Sequence, residues 1–478
     1  MSVWLRALSG LGFVLSLWGS FFPGWGWLGW LAPGFFYLVA GGAGWKWGLA
    51  RGAFWGGLFF MLELAPLFAL GEFLGPLVVV PWLALSLYGA LFFAALGAVV
   101  GSLGSAFVWA GAWALLEAAR GAGPWGFPFG ALPQTLVGSP FLGAAAWGGP
   151  VLLSLAVAWT GAALAKGVRH PKWLAAALIA PLSLALLASL PQGTKPTGEL
   201  SVALVQSGIP QSEKLDRANL PAMVERYREL LSRVPAGVEL VVAPENVLPG
   251  FLLEETPLLA PFQEAARRLG APLLVGTGVR QGDAVFNSVA LLSPAGEPVD
   301  IYHKHQLVPF GEYLPGRGLW RRLGLESLLL RFLPYDLTPG PPPRPLNNFG
   351  VMICFESLFP GLSRRLVRGG AEVLLVLTND AWFGETRFLW EHFMLGALRA
   401  AETGRALVQV AQTGISGVFL PGGEPGPRLQ VGEPGVLVAR VPLRGGSTPY
   451  VRWGQAPALA LAGLMVLVGL IRLRPRRL

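Results

Sequence analysis

The chain has little charge and almost no cysteine. Asp, Glu, Lys and Arg make up 13% of its 478 residues, against about 25% in a typical globular domain. The single cysteine, Cys354, excludes an intramolecular disulfide and a thiolate zinc site. On its own it reads as a small buried hydrophobe. No G-x-G-x-x-G or Walker sequence stands where it would need to, so ATP and dinucleotide chemistry have no support. Internal repeats and low-complexity tracts are missing as well. The net charge of +9 gathers at the ends of apolar runs and in the C-terminal tail. That distribution suits anionic lipid headgroups rather than nucleic acid.

What is present in excess is apolar surface, at 53% hydrophobic residues. Residues 1–190 break into runs near 8–22, 25–42, 48–70, 76–100, 103–119, 141–166 and 173–190. A bilayer span needs about 20 apolar residues, and in lipid the backbone satisfies itself as helix. A cleaved signal peptide is the other reading of the first run, but it lacks a clean small-residue cleavage site. These runs predict a membrane domain of seven helices over 1–192. A final span is expected over 456–472, eight in total, followed by a basic tail over 473–478. The positive-inside rule then places Arg6, Lys46, Arg51, Lys166, Arg169, Lys172 and the tail arginines in the cytoplasm. Both termini are expected there, and the intervening soluble domain, 200–452, outside.

That domain begins after the polar linker GTKPTGEL (193–200). Its strand-like runs are ELSVALVQS, GVELVVAPE, APLLVGTGV, SVALLSP, GVMICFES, AEVLLVLTN, ALVQVAQTG, GVFLPG and VLVARVPL. They alternate with four helix-like stretches, from NLPAMVERYRELLSRV to FLWEHFMLGALRAAETG. The alternation predicts a layered α/β domain.

Three reactive residues follow strand ends or their loops: Glu245 in VVAPENVLPG, Lys304 in IYHKHQLVPFGEYLPG and Cys354 in GVMICFESLFP. Taken singly, they read as a capping carboxylate, a loop lysine and a core cysteine. Taken together they suit acyl transfer. A thiolate attacks an acyl carbon, a desolvated carboxylate takes its proton, and an ammonium steadies the oxyanion. Glu312 or Glu356 could keep the lysine charged and aimed. A Cys–His pair using His303 or His305 is the rival base.

The ordered set Glu245, Lys304, Cys354 resembles the nitrilase superfamily. With YHKHQLVPFGEYLP, ICFES, TNDAWFG, RAAETGR, AQTGISG and the membrane stretch WALLEAARGAGPWGFPF (113–129), the whole chain resembles the apolipoprotein N-acyltransferases. The resemblance implies an extracytoplasmic αββα sandwich beside a polytopic helical domain in the bacterial inner membrane. It implies Glu245 as base, Lys304 as oxyanion stabiliser and Cys354 as nucleophile, with Glu312 and Glu356 in support. The implied donor is a phospholipid, and the acceptor is a diacylglyceryl-modified apolipoprotein. Acyl transfer would run through a thioester with ping-pong kinetics, and no cofactor or metal is expected. Two stretches depart from the family: APEN (243–246), where Trp-Pro-Glu-Thr is common, and Gln412, where Asn often stands.

An amphipathic arm is expected over 318–335, and Trp382 and Phe383 are expected to line an acyl path. A membrane-tethered amidase is the competing enzyme. A transporter using Glu63 and Glu117 and a non-catalytic scaffold are the readings from other classes.

Overall fold

The computed structural model describes residues 2–324 and 335–473. They form two compact units. One takes its described residues from Met1–Gly193, Ala401–Gly404 and Ser447–Leu478; the other is Thr194–Ala400 with Arg405–Gly446. Residues 325–334 of the expected arm, and 474–478 of the basic tail, lie outside the described residues.

The first unit is helical, but it does not hold the expected spans. Three helical segments among the described residues are long and apolar enough to cross a membrane: Ala65–Leu103, Leu142–Gly167 and Lys172–Ser189. The expected eight are corrected to three. The physical reason is interruption by glycine, proline and charge. The run at 25–42 divides at Leu31 into the short turn Gly26–Trp30 and the helix Ala32–Ala40. Helix Trp45–Glu63 carries Lys46, Arg51 and Glu63. Helices Val3–Gly19 and Ala106–Arg120 have 17 and 15 residues. They rise about 26 and 23 Å, short of the roughly 30 Å hydrocarbon core. Glycines serve packing instead: a Cβ on Gly52 would collide with the carbonyl of Phe93 on the facing helix, Val79–Leu103. Such small-residue faces let helices approach closely.

The second unit is built on two sheets. Its strands are β1 (Thr194–Gln206), β2 (Leu240–Val242), β3 (Leu273–Gln281), β4 (Ala284–Leu292), β5 (Pro298–His303) and β6 (Phe349–Ile353), then β7 (Val373–Thr378), β8 (Leu407–Ala411), β9 (Gly417–Phe419), β10 (Pro425–Arg428) and β11 (Gly435–Gly446). One sheet has the order β11-β1-β2-β3-β4-β5, the other β10-β9-β8-β7-β6. β1, β2 and β3 run parallel, as do β6, β7 and β8. The strands β5 and β10 were not among the sequence-predicted ones. β5 is only six residues long and half-exposed, so it has no apolar run to betray it.

Side chains alternate as the strand period requires. Val202, Leu204, Leu240 and Val242 point to the second sheet, where Val351, Ile353, Leu375 and Leu377 meet them. Ala203, Val205 and Val241 point the other way. They pack on Met223, Tyr227 and Leu230 of helix Leu220–Ser232 and on Phe262 of helix Thr256–Leu269. On the second sheet, helix Arg387–Thr403 lies against β8 and β9, with the Phe393 ring 4.4 Å from that of Phe419. The layering is helix, sheet, sheet, helix. Strand ends carry the polar residues described next.

Candidate active site

Glu245 follows β2, and its turn fits tightly against β3. A Cβ on Gly276 would stand 2.5 Å from Glu245 Cα and 2.6 Å from the Asn246 nitrogen. Lys304 directly follows β5. Cys354 directly follows β6 and opens a short 3₁₀ turn, Cys354–Leu358, with φ at 50°. A left-handed backbone at a non-glycine residue costs on the order of 1–3 kcal/mol and tends to gather at functional sites.

Two of the three sequence-derived candidates are in direct contact. Lys304 Nζ is 3.6 Å from Glu245 Oε1 and 2.8 Å from Glu312 Oε1, and its side chain is 1% exposed. Asn287 on β4 ties the carboxylates together. Its Nδ2 donates to Glu245 Oε1 at 2.7 Å and to Glu312 Oε1 at 3.0 Å. The other Glu245 oxygen accepts the backbone N–H of Asn379 at 2.7 Å. Cys354 joins them electrostatically: burial pushes its thiol well up, the Glu245 carboxylate adds to this, and the Lys304 ammonium opposes it. Burial alone would pull Lys304 down. Glu312, Glu245 and Cys354 outweigh it and hold the ammonium charged.

The resting sulfur is therefore a thiol beside a carboxylate and a fixed cation. That arrangement can deprotonate a thiol at the moment of attack and stabilise an oxyanion.

Glu312 and Glu356 differ in placement. Glu312 contacts Lys304, whereas Glu356 accepts the N–H groups of His305, Gln306 and Ile353 at 2.7, 3.1 and 2.8 Å. Tyr302 Oη donates to it as well, at 3.0 and 2.9 Å from its two oxygens. Glu356 thus fastens the lysine loop to the cysteine turn. Trp382 and Phe383 are half-buried in the turn Asp380–Phe383 after β7. The Phe383 ring lies 4.5 Å from Phe388, so packing accounts for at least part of its position. His303 Nδ1 pairs with Ser288 Oγ at 2.7 Å, and His305 Nδ1 with the Gly340 carbonyl at 2.9 Å. Among the described residues no group of three His, Cys, Asp or Glu side chains is arranged to hold a metal ion.

A sequence model described as carbon-nitrogen hydrolase matches residues 201–447. An apolipoprotein N-acyltransferase of Azotobacter vinelandii is 33% identical over 394 residues, covering 78% of this chain and 75% of that one. One from Caulobacter vibrioides is 32% identical over 485 residues, covering 94% and 86%. One from Haemophilus ducreyi is 30% identical over 388 residues, covering 77% and 76%. The chain belongs to the apolipoprotein N-acyltransferase family. It is a membrane-associated acyltransferase of the nitrilase superfamily.

The two departures from the family's motifs have local accommodations in this acyltransferase. Asn246 takes φ at 44°, which Asn tolerates better than a β-branched residue. Gln412 Oε1 accepts from Tyr227 Oη at 3.1 Å.

Sequence reasoning missed Asn287, Asn379, Lys214, Asp380 and His392. Asn287 could have been noticed as an amide inside the apolar strand AVFNSVALL, and Asn379 and Asp380 by the strand-end rule that flagged Cys354. Lys214 is 5% exposed in the short helix Gln211–Leu215 and has no hydrogen-bond partner among the described residues. No sequence signal marks it as buried.

Proposed function

We propose that this enzyme moves a fatty acyl chain from a membrane phospholipid, through a thioester on Cys354, to the α-amino group of a lipoprotein's N-terminal S-diacylglyceryl-cysteine. The observation that carries the reading is the buried Glu245–Lys304–Glu312 cluster acting on Cys354, in a chain of this family. Glu245 takes the Sγ proton as sulfur attacks the donor's ester carbon. Lys304 stabilises the oxyanion, and Glu245 returns the proton to the departing glycerol oxygen, releasing a lysophospholipid. The acceptor amine then attacks the thioester; Glu245 carries the amine's proton to the leaving sulfur. Glu312 keeps Lys304 charged, and Glu356 keeps the two loops together. The partners are the phospholipid donor and the diacylglyceryl-modified apolipoprotein.

The location is the bacterial cytoplasmic membrane, with the catalytic unit on its outer side. Lys166, Arg169 and Lys172 stand where Leu142–Gly167 meets Lys172–Ser189. The positive-inside rule puts that junction in the cytoplasm, close to anionic headgroups. Lys172–Ser189 then leads outward to β1.

Purified protein incubated with acyl-labelled phospholipid tests the reading. Wild type should carry label that neutral hydroxylamine removes, and a diacylglyceryl peptide with a free amine should discharge it faster than water. Equal labelling of Cys354→Ala would overturn the thioester. Discharge by water alone would favour an amidase-like hydrolase.

A further inference from the structure

A second buried network sits behind Cys354 and is not used by the chemistry above. Helix Arg387–Thr403 presents His392 and Arg399, seven residues apart and therefore on one face. Both meet the turn that carries the nucleophile. His392 Nε2 lies 3.2 Å from the Cys354 carbonyl oxygen and 2.9 Å from Ser357 Oγ. Ser357 Oγ itself donates to the Cys354 carbonyl at 2.9 Å. Arg399 Nη1 donates to the Ser357 and Leu358 carbonyls at 3.1 and 2.8 Å. On its far side, His392 Nδ1 is 2.9 Å from Asp380 Oδ1, which also accepts from Thr378 Oγ1 at 2.8 Å. His392, Asp380, Ser357 and Thr378 are each at most 3% exposed.

The order Asp380–His392–Ser357 has the look of a serine-nucleophile triad. The serine is fully buried and spends its proton on a carbonyl, so it is not placed to attack a substrate. The geometry instead assigns two donors to the imidazole. Nδ1 faces a carboxylate, and Nε2 faces a carbonyl oxygen and a hydroxyl whose proton already points elsewhere. A lone pair on Nε2 would oppose that carbonyl. We propose that Asp380 and His392 form a positioning ion pair whose imidazolium grips the Cys354 carbonyl and holds the left-handed turn that presents the sulfur. His392 acts through the backbone of Cys354.

The charges around the imidazole agree with two donors. Burial disfavours the imidazolium, but Asp380, the Cys354 carbonyl and Glu245 together raise its pKa. Besides Asp380 after β7, the titratable group acting on it from another element is Glu245 after β2; Cys354 after β6 meets it through its backbone carbonyl. Its own helix adds Arg399 and the Arg387–Glu391 pair.

The proposal rests on the thioester reading, and the test separates the two. Cys354 is the only cysteine, so alkylation by iodoacetamide reports its presentation without any lipid. Single-turnover acylation by labelled phospholipid is followed beside it, across pH. His392→Gln is expected to slow acylation about 100-fold, as a misplaced reacting group does, with little change in the lipid concentration at half-saturation. Asp380→Asn keeps an acceptor for Nδ1–H but removes the charge. The falling alkaline limb of acylation should move down by about one pH unit or more, whereas relief of the Asp380 charge on the Cys354 thiol alone would raise the rate there. A folded His392→Gln with wild-type acylation and alkylation would overturn the proposal. If that variant does not fold, an alkaline limb unmoved in Asp380→Asn overturns it. Wild-type alkylation with no acylation at all would sink the thioester reading instead.

Discussion

Lys304 Nζ and Glu312 Oε1 stand 2.8 Å apart with the lysine almost shut off from water. Removing one partner of a buried pair costs about 3–5 kcal/mol, because the other charge is left uncompensated. Glu312→Gln should therefore lower the melting temperature. It should also slow acylation, since Lys304 would then lean on Glu245 alone, the group proposed to accept the thiol proton. Lys304→Met should be worse, leaving two neighbouring carboxylates, both bonded to Asn287, with no cation between them. A thermal melt and a single-turnover acylation assay check both, and a Glu312→Gln enzyme with wild-type Tm and rate would refute the pairing.

Glu245→Gln retains an oxygen for only one of its two donors, Asn287 Nδ2 or the Asn379 N–H, and has no basicity. Burial and the neighbouring carboxylate hold the thiol protonated at neutral pH. Loss of the base should slow acylation by about 10²–10⁴-fold. The variant should recover part of its rate as pH rises and hydroxide replaces the base. A pH–rate series through pH 10 measures this; an unchanged neutral rate would remove Glu245 from the role.

Lys214 makes a prediction of opposite sign. Burial pulls its ammonium down to about 8 from 10.5, against a small opposing pull from Glu245. Between those two values the unfolded chain binds more protons than the folded one, so stability rises with pH. Below pH 8 the fold bears the full cost of about 3 kcal/mol. Lys214→Met should raise Tm at pH 7, and the gain should shrink toward pH 10. A gain that is equal at both pH values would mean the ammonium is not the cause.

Gly276→Ala should act at a distance. Its Cβ would press on the Glu245 backbone, and overpacking of this kind costs about 1–3 kcal/mol. The expected result is a modest fall in Tm and a larger fall in acylation rate. Cys354 alkylation by iodoacetamide should change less, because the atoms nearest the added Cβ belong to Pro244, Glu245 and Asn246 and not to the cysteine turn. An acylation rate that falls no more than alkylation does would show that the glutamate turn had not moved.

Much of the catalytic unit was readable from local pattern. Apolar runs that end in Glu245 or Cys354 are strands that must be buried, and the chain leaves the sheet where the polar residue stands. β5 was invisible because a half-exposed strand has no such run. Asn287 was overlooked because an amide in a strand becomes meaningful only when two carboxylates from β2 and the Lys304 loop arrive beside it. The helical unit was misread for a related reason. Hydropathy averages over glycine and proline, and only the folded backbone reveals where helices break.

By itself, the sequence determined that the chain is membrane-associated, that an α/β domain follows residue 193, and that its one cysteine stands at a strand end. Those properties depend on composition and on neighbours a few residues apart. Tertiary structure decided which charges meet. Glu312 rather than Glu356 pairs with Lys304, and His392 reaches the carbonyl of Cys354. These contacts join residues 8 and 38 positions apart, and their strength depends on exclusion of water that no local pattern encodes.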